Sequence, residues 1–214
     1  MSKEENVVRY YVKKKKKKNV IRTGWKDWNV KKERLESVAE HIYGTQMLAL
    51  AMKSEYNYDI DILKVIYMLA LHELEETVIG DLTLFQISKE EKKKIGHNAI
   101  NKILNNLIDK DKMTSIILEF DERKTKEALF AHYCDKLECD IQSKLYDKYV
   151  DLNDQENNTT FNDSKVQELL NEKKSFSWMW LKFGQQRYNY DENFLSVSNF
   201  VMNNDIEKYQ DIEE

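Results

Sequence analysis

The sequence predicts an all-α protein, a single compact helical bundle, on three observations. Proline is absent from all 214 residues, so no position carries the residue that breaks helices by removing a backbone donor. Apolar residues recur at helical spacing through most of the chain, and Ser or Asp stands where a helix N-cap is expected ahead of several of these runs. No segment shows the apolar–polar alternation of a half-buried strand.

Taken in order, residues 1–20 read as a flexible or partly extended lysine-rich lead. Ser37 with Glu40 fits a capping box opening a helix to about Lys53. Asp59 or Asp61 caps the next helix, in which Ile62, Val65, Leu69, His72 and Glu76 form one stripe, and Gly80 ends or turns it. Ser88 with Glu91 opens a further helix through Ile95, Ala99, Ile103 and Leu107. A helix around Met113 to Phe120 follows, then a long one from about Lys126 to Tyr149. Residues 151–164, rich in Asn and Asp, form a loop excursion. Ser164 with Gln167 is a last cap signal, ahead of an aromatic cluster at Phe176, Trp178, Trp180, Phe183 and Tyr188. One domain is expected over residues 21–205, followed by an acidic tail over 206–214.

Composition narrows the function. The net charge of −4 gives no general electrostatic case for nucleic acid. The run Lys13 to Lys18 is the exception, and such runs are ordinarily solvated, self-repelling faces. No apolar run approaches the ~20 residues that span a bilayer, and Met1 to Arg9 lacks the apolar centre of a signal peptide. No membrane partner and a cytoplasmic location are therefore expected. Cys134 and Cys139 fall on largely different faces of one predicted helix, so a bond between them is not expected, and no zinc-finger spacing is present.

Four side chains stand out inside otherwise apolar stripes: His41, the adjacent His72 and Glu73, and Asp135. An isolated buried charge is costly, and two imidazoles with two carboxylates suit a divalent cation of the Mn, Co, Fe or Zn type. Ala128, Ala131, Asp135, Glu138 and Gln142 share one face of the long helix. Three helices each turning one polar segment inward is how helical folds build metal sites. His132 reads as an outer or surface residue, His97 as a surface one, and Trp178 and Trp180 as core or dimer contacts. Neither a Gly-rich phosphate loop nor a G-x-S-x-G elbow is present.

The segments Glu36-Ser37-Val38-Ala39-Glu40-His41, Ala70-Leu71-His72-Glu73-Leu74-Glu75-Glu76, Gly80-Asp81 and Cys134-Asp135-Lys136-Leu137-Glu138 resemble the HD-domain phosphohydrolases. More narrowly, with Arg22-Thr23-Gly24-Trp25 ahead of the first histidine, they resemble the bacterial 5′-deoxynucleotidases and their eukaryotic relatives. The likeness covers roughly residues 20–205 and departs at one place, where the family's His-Asp pair is His72-Glu73.

The resemblance implies a bundle of the HD-domain type and a metal-dependent phosphomonoesterase that releases phosphate from 2′-deoxynucleoside 5′-monophosphates. It implies His41, His72, Glu73 and Asp135 as ligands of one divalent ion (Mn, Co, Fe, Zn or Mg). Glu76 would activate water, and Asp81 would take part in catalysis while positioning the sugar. Arg22 would clasp the phosphate and Trp25 would pack on the deoxyribose. The expected partner is a small nucleotide substrate, with a possible homodimer. Two alternatives remain at this level: a hydrolase of another phosphorylated nucleotide, or a non-catalytic nucleotide-binding or scaffold member disabled by Glu73.

Overall fold

The computed structural model describes residues 2–82 and 87–210. Its described elements are helical, with one isolated bridge between Ile21 and Ser37, so the all-α expectation holds. No described helix is long and apolar enough to cross a membrane. Contacts group the chain into two compact units, residues 1–24 with 36–132, and residues 25–35 with 133–214.

The first unit opens with helix α1 (Lys3–Lys15), which continues as a 3-10 turn over Lys16–Asn19. This corrects the expectation of a flexible lead. The Ser2 hydroxyl accepts from the Glu5 backbone N–H, Glu4 and Glu5 lie in the first turn, and Lys13, Lys14 and Lys15 lie in the last. That distribution of charge suits the helix dipole at both ends. The Lys14 ammonium also donates to the Leu74 carbonyl at 2.9 Å and to Thr77 Oγ1 at 3.1 Å, tying the segment down.

Helix α2 (Thr23–Asp27) begins here and runs into the second unit. Helix α3 (Val38–Tyr56) starts at the expected capping box: Glu40 N–H donates to Ser37 Oγ, and Ser37 N–H donates back to Glu40 Oε2. Val38, His41, Thr45, Ala49 and Met52 form its buried stripe. Asp61 caps α4 (Ile62–Leu71) by accepting from Lys64 N–H.

The stripe expected to run unbroken from Ile62 to Glu76 does not. Helix α4 stops at Leu71, and a turn over residues 72–75 precedes the short α5 (Glu76–Ile79). Here N–H groups reach back three residues rather than four, Leu74 to Leu71, Glu76 to Glu73 and Val78 to Glu75. That tightening rotates successive side chains away from the α-helical register. Gly80 follows at φ 80°, ψ 169°, a combination that side-chain-bearing residues avoid.

Ser88 caps α6 (Lys89–Leu104), which is followed by α7 (Lys110–Glu122). Leu71, Leu74, Ile100, Ile103, Leu104, Met113 and Ile117 close a core among these elements.

Helix α8 (Lys126–Tyr146) supplies residues 126–132 to the first unit and 133–146 to the second. Its expected last turn is a separate 3-10 turn over Asp147–Tyr149. The second unit adds α9 (Ser164–Glu172) and α10 (Phe176–Tyr188) around Trp25, Trp28, Tyr146, Leu169, Phe176 and Met179, and α11 (Glu192–Asn203), whose Val201 clusters with Leu181 of α10 and Ile206. The cap of α9 is Asp163, one residue before the expected Ser164. Asp163 Oδ1 accepts from both Lys165 and Val166 N–H groups, whereas Gln167 donates its side-chain amide to the Phe161 carbonyl.

The 151–164 loop is ordered from within. Gln155 donates to the carbonyls of Trp28 and Asp151, and Asn158 donates to Gln155. Of the expected acidic tail, Glu207–Tyr209 form a 3-10 turn and residues 211–214 lie outside the described residues.

Candidate metal centre

His41 projects from the buried stripe of α3 and is fully buried. His72 occupies the C-cap of α4, where the break in the helix turns its ring toward His41. Their Nε2 atoms are 3.4 Å apart. Glu73 Oε1 lies 3.9 Å from His41 Nε2 and 3.6 Å from His72 Nε2. One ligand atom from each of the three residues falls within 4.8 Å of the others.

The tautomer of His72 follows from its other nitrogen. Nδ1 sits 2.7 Å from the Leu69 carbonyl oxygen, which can only accept, so Nδ1 carries the proton. In the neutral ring the lone pair is then on Nε2, facing His41 and Glu73. Such an outer hydrogen bond is the usual device for orienting a metal-bound imidazole. The Phe120 ring, 5.4 Å from that of His72 between centroids, packs against it.

Glu76 is buried beneath the trio of His41, His72 and Glu73. Burial, then the charge of Glu73, a hydrogen bond shared with Glu73 and the charge of Asp81 push the Glu76 carboxyl well above its ordinary range, opposed by Arg22. Arg22 Nη1 stands 3.4 Å from Glu73 Oε1 and 3.8 Å from Asp81 Oδ1. Asp81 is fixed from the far side: its Oδ2 accepts from Thr23 N–H at 2.7 Å, and Thr23 Oγ1 donates to its carbonyl at 2.5 Å. Two imidazole nitrogens facing one carboxylate, with two more carboxylates behind, make a donor set that fits a divalent cation.

Arg22, Glu76 and Asp81 do gather around His72 and Glu73 in the first unit. Asp135 lies on the part of α8 within the second unit, buried, with Oδ2 2.9 Å from Lys136 Nζ.

Trp25 is 2% exposed. Its ring packs 5.2 Å from Tyr146 and 5.0 Å from Trp180, inside the second unit's aromatic core. The expected contact with a deoxyribose is corrected accordingly, because protein atoms already cover that ring. Trp178 and Trp180 are core contacts as expected. His132 is buried rather than at the surface, with its ring 6.3 Å from Phe120. His97 pairs with Asp121 at 2.9 Å. Cys134 and Cys139 are both buried and unbonded to each other.

Two residues are not evident from the sequence. Thr23 anchors Asp81, and nothing in its type or spacing marks it. Lys17 is 5% exposed, deep in a run that reads as solvated.

Comparison with known proteins identifies the family. A family model described as the HD domain matches residues 15–177. The 5′-deoxynucleotidase HDDC2 of Dictyostelium discoideum is 34% identical over 139 residues, covering 61% of this chain and 72% of that protein. The 5′-deoxynucleotidase hdd1 of Schizosaccharomyces pombe is 28% identical over 138 residues, covering 61% of this chain and 67% of that protein. A solved protein of Pyrococcus horikoshii superposes with a TM-score of 0.63 at 20% identity, covering 91% of this chain and 98% of its own. Another, described as a predicted metal-dependent phosphohydrolase from Magnetospirillum magnetotacticum, gives a TM-score of 0.64 at 16% identity, covering 94% of this chain and 91% of its own. The two solved structures share the fold. With the HD model spanning most of its length, the chain belongs to the HD-domain family.

Proposed function

We propose that the protein is a metal-dependent phosphomonoesterase that releases phosphate from 2′-deoxynucleoside 5′-monophosphates. The observation that carries the reading is the facing pair of imidazole nitrogens, 3.4 Å apart, with the Glu73 carboxylate beside both. Names of the curated relatives supply the substrate class.

His41, His72 and Glu73 would hold one divalent cation. Asp135 is proposed as the fourth ligand from its place in the His…His-Glu…Asp order of the chain. The bound ion would lower the pKa of coordinated water and offset negative charge on the phosphoryl group. Glu76 takes the proton of the attacking water. As a positioned carboxylate it serves as the general base. Arg22 presents its guanidinium fork to the phosphate oxygens, and Asp81, held rigid by Thr23, positions the sugar hydroxyl.

Glutamate in place of the family's aspartate extends the carboxylate by one methylene. At Glu73 the 72–75 turn accommodates that length, since Oε1 comes within 4 Å of both imidazoles. This favours a working ligand over a disabled site. The test is phosphate release from paired deoxy- and ribonucleoside 5′-monophosphates by protein stripped of metal and reconstituted separately with Mn, Co, Mg or Zn. Release that needs metal and prefers the deoxy member of each pair is expected. Equal rates on both sugars would remove the substrate assignment, and no release with any ion would remove the enzyme.

A further inference from the structure

Beneath the N-terminal segment of the first unit lies a cavity of about 260 Å³ that the proposed catalysis does not use. Four lysines line it: Lys14, Lys15, Lys17 and Lys18. Its floor is apolar, formed by Ala39 and Ile42 of α3 and Ala70 of α4. None of these is a proposed metal ligand, although each lies within two residues of His41 or His72.

Lys17 is the unusual member. It is 5% exposed, yet its ammonium makes no hydrogen bond or ion pair with any described residue. Burial pushes its pKa down, and the charges of Glu73, Glu76 and Glu75 oppose that shift through space. No described protein group engages its three donors, so they remain open to a ligand or to water. Lys14 differs, since two of its donors are already committed to Leu74 and Thr77. Lys15 and Lys18 are exposed and add positive charge at the mouth. Tyr10 and Tyr11 complete the wall with aromatic surface and hydroxyl groups.

We propose that this cavity is a binding site for a small phosphate-bearing anion, separate from the metal centre, with Lys17 as its buried charge. Phosphate oxygens would supply the acceptors that the Lys17 ammonium lacks, and a lysine serves such an anion as a compact point charge. The volume lies just below that of ordinary ligand pockets, ~300 Å³ and upward, which suits a phosphate carrying at most a small organic group. Inorganic phosphate and a nucleoside monophosphate share this chemistry, and both are available to a phosphatase as product and substrate.

The test is calorimetric titration of the metal-loaded protein with inorganic phosphate, comparing wild type, Lys17→Met, Lys17→Arg and His41→Gln. Methionine keeps the volume and removes the charge. Phosphate should bind about tenfold more weakly, or not measurably, to Lys17→Met. Lys17→Arg should restore binding, and His41→Gln should retain it. If His41→Gln does not fold, metal-stripped wild type takes its place. Unchanged affinity in Lys17→Met overturns the proposal. So does loss of binding in His41→Gln or stripped protein, which would assign the phosphate to the catalytic site. Repeating the titration with 2′-deoxyadenosine 5′-monophosphate on metal-free wild type and Lys17→Met identifies the occupant from the binding that Lys17→Met loses. Tighter binding than phosphate names a nucleotide and equal or weaker binding names the inorganic anion, and either sustains the site. Because these readouts do not depend on turnover, failure here leaves the phosphatase assignment standing.

Discussion

At His72, one hydrogen bond decides what the side chain can do. The Leu69 carbonyl holds the proton on Nδ1, which leaves Nε2 unprotonated in the neutral ring and facing His41. Replacing His72 or His41 by alanine removes a donor outright. Metal affinity should fall by at least the ~10–100-fold typical of losing a mere supporting partner, as read by metal content after dialysis. Glu76 has a different job, so its variant should separate the two. Glu76→Gln should lower kcat about 10²–10³-fold with metal content unchanged. A parallel loss of metal would instead make Glu76 a ligand. The chemistry of this group was legible in the sequence, because buried imidazoles and carboxylates in apolar stripes need a common partner. Lys17 was not legible, because a lysine within a lysine run carries no mark of which member faces inward.

Among the elements, those with a cap written in side chains were readable: Ser37 with Glu40, Asp61 and Ser88 each begin the helix they announce. The break after Leu71 was not readable. No glycine or proline marks residues 72–75, and the turn rests on backbone hydrogen bonds that shorten by one residue. Periodicity alone therefore ran α4 straight through the place where the site is made. Trp25 failed for a similar reason, since residue type cannot distinguish an aromatic core from a substrate wall.

Two glycines test the geometry of these elements by different physics. At Gly184 of α10 an added Cβ would lie 2.9 Å from both carboxylate oxygens of Asp140, which also accepts from Tyr190. Gly184→Ala should cost about 1–3 kcal/mol by overpacking. At Gly80 the space is open and only the backbone objects, with φ at 80°. Gly80→Ala should cost a comparable ~1–3 kcal/mol through strain. Urea unfolding of each variant measures both. A neutral result would contradict the close approach of Asp140 in the first case and the left-handed backbone in the second.

For the whole molecule, the N-terminal segment proves to be part of the fold, and its ionisation should register in global stability. Burial, chiefly, and the nearby Lys17 push the Lys14 ammonium down from 10.5 to about 7. The unfolded chain thus binds this proton more readily than the folded one. Lys14 costs nothing above pH 10.5, and its cost grows as pH falls toward about 7 and then levels off. Across that window wild type should lose stability relative to Lys14→Met, as followed by urea midpoints. A pH-independent difference would show that the Lys14 ammonium is not buried.

Everything proposed for catalysis depends on one cation held by His41, His72 and Glu73. Bound metal and phosphate release, determined together on the same preparations of wild type and His72→Ala, reach that dependence most directly. About one ion per wild-type chain is expected, with release that disappears when the ion is removed, and neither ion nor release in folded His72→Ala. Undiminished release by wild type freed of metal, or by folded His72→Ala, would contradict a catalytic cation at this centre.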